Sequence, residues 1–241
     1  MGLPVLLVAV VGAFLVAGCG DDGANDQSVA ASPITHVEVV TRGGDFRGAI
    51  DATVAPDGDT VYFTATSSRG PGVFQVPAEG GAAEAVVAGS PFRKPVGVAV
   101  TTDGNRLLVA DAEAETPEGG DGAVLAVPVA GAEPTVVGGT QGMSPRGLEV
   151  VREGGEDVVF FTGRDTGDGA PGVFKVPVDG GNSATVVVKG SPLAEPDAVT
   201  ATGQGVVYVT DRRTPGAEGS TASPGGWPRG SSASGHRHLP G

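Results

Sequence analysis

Four charged side chains, Asp51, Arg146, Glu149 and Asp197, stand near the starts of apolar runs in this 241-residue chain. Carboxylates gathered at one mouth can hold Ca2+ or another hard cation through oxygen ligands, and an arginine among them lets the same mouth bind a polar ligand. Arg93, Lys94, Asp111, Asp165, Glu195, Asp211 and Arg212 lie in the neighbouring loops and extend the candidate set. A structural role is open to the same residues. Asp111 and Asp211 share one position, at the end of a second apolar run, where Asp caps a turn through backbone amides. No catalytic residue is assigned: His36 falls in a strand-like run, and His236 and His238 fall in a polar tail, so no Ser-His-Asp set can assemble. The tail histidines also lack further ligands at metal-binding spacing. "GDGAPG" at 167–172 spells a dinucleotide fingerprint, but no helix follows it. The acidic stretch 111–121 lacks EF-hand spacing, and one cysteine permits no disulfide.

The elements that position these residues follow from a repeat. "VFQVP", "VLAVP" and "VFKVP" begin at Val73, Val124 and Val173, steps of 51 and 49 residues. "FRGAIDATVAPDGDTVYFTA" from Phe46 is echoed by "FRKPVGVAVTTDGNRLLVAD" from Phe92, by a third copy from Ser144 and by a shorter one from Glu195. Each unit holds four short β-type runs, in the second unit "VGVAV", "LLVA", "VLAVPV" and "TVV". Turns such as "TTDGN" join them, with Asp103 and Gly104 suited to positive φ. The runs are apolar on both faces, as in sheets covered on both sides. Forty-two glycines, 19 prolines and few helix formers agree with short strands and tight turns.

"PVGVAVTTDGNRLLVAD" resembles an NHL-type repeat, and "VFKVPVDGG" is similar to the third strand and turn of blades in gluconolactonase-like and TolB-like proteins. The resemblance covers Val37 to Asp211 and implies an all-β fold, a β-propeller of four-stranded blades. It implies six blades, which at about 48 residues each take roughly 290 residues; about three and a half are legible here. "HVEVV" from His36 resembles the fourth strands and is expected to close the ring onto the last blade, removing open sheet edges.

The chain opens with an apolar run from Leu3 to Ala17 and then "VAGC", ending at Cys19. The run is short for a membrane span and suits a secretory leader. "VAGC" resembles the lipobox of bacterial lipoproteins, which implies cleavage before Cys19 and lipid attachment to its thiol. The expected organisation is a signal peptide at 1–18, a flexible tether at 19–33, a partial propeller at 34–213 and a low-complexity tail at 214–241. The tail begins where a further third strand is due, and it reads as out of frame with the repeat.

A formal net charge of −13 excludes nucleic acid as partner, because phosphate binding draws on clustered Lys and Arg. The functional expectation is a membrane-anchored module of the bacterial cell envelope, facing outside the cytoplasm. It would bind a small molecule, glycan or protein through the connections between second and third strands and between fourth and first strands, where loop length varies. One alternative is a metal-dependent lactonase or hydrolase of gluconolactonase-like type, with a divalent cation such as Ca2+ held by Asp51, Glu149 and Asp197. A second is an inactive truncated fragment.

Overall fold

The computed structural model describes the backbone of residues 6–10, and residues 37–117, 119, 121–202 and 205–213 in full. Cys19, the tether, the three histidines and the tail lie outside the described residues. Among the described residues there is no helix, and so none long and apolar enough to cross a membrane.

Three four-stranded antiparallel sheets follow one another along the chain, each a simple meander. Blade 1 comprises β3 (Ala52–Val54), β4 (Thr60–Ser67), β5 (Gly70–Pro77) and β6 (Glu84–Ala88). Blade 2 comprises β7 (Pro95–Val100), β8 (Arg106–Asp111), β9 (Ala123–Pro128) and β10 (Thr135–Val136). Blade 3 comprises β11 (Leu148–Glu153), β12 (Glu156–Arg164), β13 (Pro171–Pro177) and β14 (Thr185–Lys189). β15 (Pro196–Ala201) and β16 (Val207–Asp211) form an antiparallel pair that stands as the inner half of a fourth blade.

The registers repeat with the sequence. Phe63 faces Phe74 across β4 and β5, Phe161 faces Phe174 across β12 and β13, and Val109 faces Leu125 at the same place in blade 2. The third-to-fourth strand pairing carries a register shift at Val73/Phe74 in blade 1 and at Val173/Phe174 in blade 3.

The apolar cores lie between blades, which explains why the strands are apolar on both faces. Tyr62 and Val73 of blade 1 join Val98, Leu107, Val109, Leu125 and Val127 of blade 2 in one cluster. Leu108, Ala110, Val124 and Ala126 of blade 2 join Leu148, Val159, Phe161 and Phe174 of blade 3 in the next. Phe160 and Val173 of blade 3 meet Val199 and Ala201 of blade 4. Each fully buried Val, Leu or Phe contributes about 1.5–3 kcal/mol relative to exposure, so the junctions carry most of the stability. Polar ties reinforce them: the Thr102 amide and hydroxyl both donate to the Asp157 carboxylate, at 2.8 and 2.7 Å.

β2 (Val37–Arg42) precedes blade 1 in the place of an outer strand. Gly81 N–H donates to the Val40 carbonyl at 2.9 Å, as Gly181 N–H of blade 3 donates to the Gly138 carbonyl just past the outer strand of blade 2 at 2.9 Å. Val40 completes a core with Phe46, Phe63 and Phe74. The expected pairing of this strand with the last blade is not what the structure shows. β2 instead pairs antiparallel with β1 (Leu6–Val10), a segment of the N-terminal apolar run.

Candidate functional site

The connections on the two ends of the blades differ in length. On one end, first-to-second and third-to-fourth strands are joined by connections of two to seven residues, such as 154–155 and 178–184. On the other, the connections run from a tight turn to loops 112–122 and 137–147, the two longest, both belonging to blade 2. The second-to-third connection of blade 1, "ATSSRGPG", falls among those expected to form the binding loops and does not form one: β4 runs on to Ser67 and β5 begins at Gly70, leaving only a tight turn in which the Ser67 hydroxyl donates to the Gly70 carbonyl.

Loops 112–122 and 137–147 fold against each other. Gly142 N–H donates to the Gly122 carbonyl and Ser144 N–H to the Asp121 carbonyl, both at 2.9 Å. The third wall is the connection 89–94 from blade 1 into blade 2. Its backbone is pinned by the fully buried Asp111, whose carboxylate accepts the amides of Arg93 at 2.8 Å, Lys94 at 2.9 Å and Glu113 at 3.0 Å. Burial lifts the Asp111 carboxyl above its ordinary value of 3.8, while these amides pull it the other way. Asp211 repeats the motif with the amides of Ala194, Glu195 and Arg213. Turn capping is thus the role of both residues, as their shared position suggests.

Between these three loops lies an open cleft of about 680 Å3, walled by Arg93, Lys94, Glu113, Glu115, Asp121 and Ser144. Lys94 Nζ pairs with Glu113 at 2.9 Å and Arg93 pairs with Glu115, all four side chains being at least half exposed. Pairs of this kind are worth little in water, about 0–1 kcal/mol each, so an incoming charged group can exchange with either partner at small cost.

The four strand-start candidates are elsewhere, and of the four only Arg146 and Asp197 meet. The Asp51 carboxylate accepts the backbone N–H of Val98 in the next blade at 2.9 Å. Glu149 does the same for Ala201 at 2.9 Å, reaching from blade 3 to blade 4. Arg146 Nε donates to Asp197 at 2.7 Å across that same junction, with Arg212 3.9 Å from the same carboxylate oxygen. Asp165 is tied to Lys189 at 3.1 Å and accepts the Gly167 amide. Among the described residues no group of three or more His, Cys, Asp or Glu side chains is placed to hold a metal ion. Arg93 and Lys94 are the candidates that line the cleft. Glu113, Glu115 and Ser144 were not singled out in the sequence, and the signal that could have found them was the length of the loops bearing them.

No protein-family model and no curated protein sequence matches the chain. Solved structures do. A chain of the nidogen/laminin complex superposes with a TM-score of 0.52 at 16% identity, over 69% of this chain and 57% of that one. The fold is a partial β-propeller. TolB from Acinetobacter baumannii aligns at 16% identity and TM-score 0.38, over 63% of this chain and 36% of its own. A functionally unknown protein from Desulfotomaculum acetoxidans DSM 771 aligns at 14% identity and TM-score 0.45, over 75% and 54%. The chain therefore spans less than two thirds of each of these solved chains. Within the propeller, the cleft sits on the end that carries the second-to-third and fourth-to-first connections, and Asp51, Glu149 and Asp197 sit at blade junctions.

Proposed function

We propose that the chain is an extracytoplasmic binding module of the bacterial envelope, anchored to the membrane by lipid on Cys19, that recognises its ligand with the cleft of blade 2. The observation that carries this reading is the convergence of the two longest loops and the 89–94 connection on one charged, open cleft, while the connections on the opposite end run to seven residues at most. Cations and carboxylates alternate around it, which suits a polar partner bearing both signs of charge, as a peptide segment of a protein does. The solved chain of similar fold was crystallised in the nidogen/laminin complex, which agrees with recognition of protein. The hydrolase alternative draws on Asp51, Glu149 and Asp197, and their carboxylates are engaged with neighbouring blades.

Two measurements test the proposal. The full chain and its Arg93→Glu/Lys94→Glu variant are probed against arrays of charged peptides and envelope glycans. Selective binding by the parent, reduced at least tenfold in the variant, is expected, and equal binding by both would defeat the cleft as the site. Metabolic labelling with a fatty acid tests the anchor: label on the parent and none on Cys19→Ala is expected, and an unlabelled parent would remove the anchor from the reading.

A further inference from the structure

The large apolar side chains left exposed among the described residues are Val37, Ile50, Val54, Val186, Val187, Val188, Val206 and Tyr208. Val37, Ile50 and Val54 lie at the leading end of the arc, Val206 and Tyr208 at its trailing end, and Val186, Val187 and Val188 on the outer strand of blade 3, beside the half blade. Patches of this kind on a rigid fold mark surfaces that are covered in the working state, and the repeat identifies what covers them.

Tyr208 is the plainest case. The registers place it opposite Thr200 as Tyr62 stands opposite Thr53, Leu108 opposite Ala99 and Phe160 opposite Glu149. Those three equivalents are buried against the following blade, at 7%, 0% and 3% exposure, while Tyr208 is 62% exposed. Val187 and Val188 likewise match Val86 and Val87, which pack into the core shared with blade 2. At the other end, Val54 matches Val100 and Val150, which pack against the preceding blade, yet it is 52% exposed. The trailing end thus presents the face that blades 1 and 2 offer to their successors. The leading end presents the face that blades 2 and 3 offer to their predecessors.

The strands are complementary too. β15 and β16 are the first and second strands of a blade, and β2, paired with β1, stands in the place of an outer strand ahead of blade 1. We propose that copies of the chain join head to tail. The half blade β15–β16 of one copy and β2 of the next occupy the inner and outer places of one blade, and Ile50 and Val54 of the second copy cover Val206 and Tyr208 of the first. The junction between copies then repeats the junction between consecutive blades within one chain. Such a heterologous contact closes into a ring or continues into an open array, according to its rotation.

Sedimentation velocity of the full chain over a hundredfold concentration range tests this. Growth from monomer to dimer and larger species is expected. Tyr208→Lys and Val54→Lys, both at exposed positions, should each raise the concentration needed at least tenfold. Mixing the two variants restores one intact junction and should yield dimers and nothing larger. A monomer throughout would overturn the proposal. So would association that neither variant weakens, or dimers of Val54→Lys alone as strong as those of the parent, since these would mean a tail-to-tail contact. Neither substitution touches the cleft, so peptide binding and self-association fail or succeed independently.

Discussion

The carboxylate of Asp51 in blade 1 accepts the backbone N–H of Val98 in blade 2 at 2.9 Å. Glu149 and Ala201 repeat the relationship between blades 3 and 4 at the same distance. In both, an inner strand's free amide is satisfied by the preceding blade, so a side chain on one sheet completes the hydrogen bonding of the next.

Asp51→Ala should lower unfolding free energy by about 1–3 kcal/mol, the cost of leaving a largely buried amide without an acceptor. Asp51→Asn keeps an acceptor and should lose less. Burial raises the Asp51 carboxyl above 3.8 in the fold, outweighing the amides of Val98 and Ala52. The native state therefore holds this proton more tightly than the unfolded chain. Stability falls as pH rises from about 4 through the raised folded value. Asp51→Asn should flatten part of that decline, and Asp111, raised for the same reason, should account for more. Urea unfolding between pH 4 and 7 measures both effects, and an unchanged slope in the Asn variant would contradict the assignment.

Asp111→Ala removes one carboxylate from three amides, those of Arg93, Lys94 and Glu113. Hydrogen exchange at these positions should accelerate at least tenfold while the amides of β12 stay protected. Uniform acceleration across the blades would mean global destabilisation instead of a local release of the cleft wall.

Asp103 is held to about 2 by the Thr101 hydroxyl first, then by the amide and side chain of Asn105. Its contribution to the turn 101–105 is present above the unfolded value near 3.8 and is lost as pH falls through about 2. Carboxyl NMR should show that midpoint, and Thr101→Val should move it upward. A midpoint near 4 in the parent would contradict the geometry.

Gly147→Ala should destabilise by about 1–3 kcal/mol through overpacking. A Cβ there would stand 2.4 Å from the Asp197 carbonyl, which accepts the Gly147 amide at 2.7 Å across the junction of blades 3 and 4. Gly97 holds the equivalent place before blade 3, where a Cβ would meet the Arg146 carbonyl at 2.4 Å. Thermal unfolding of both variants checks the requirement, and unchanged midpoints would refute it.

The blades were legible because each repeats the same strand lengths and apolar positions: "VFQVP", "VLAVP" and "VFKVP" became β5, β9 and β13 with matching registers. The turn role of Asp111 and Asp211 was legible for the same reason. The role of Asp51 and Glu149 was not, because a sequence does not show which amides of a neighbouring sheet lack a partner. Nor was the cleft, because it depends on two loops distant in sequence folding onto each other through backbone bonds such as Ser144 to Asp121, which no side-chain pattern encodes.

The contacts of the third-to-fourth strand turns bear on how such a chain can change. A Cβ at Gly80, Gly131 or Gly180 would stand 3.0, 3.0 or 2.7 Å from the backbone at Val40, Val86 or Gly138, the outer region of the unit before it. Main chain meets main chain at every one of these seams, so the fit does not depend on which side chains the two units carry. Gene duplication or recombination can then add, remove or exchange whole units while each new seam is already compatible. This gives a physical reason why the copies have diverged as far as "VLAVPVAGA" and "VFKVPVDGG" without losing their mutual fit.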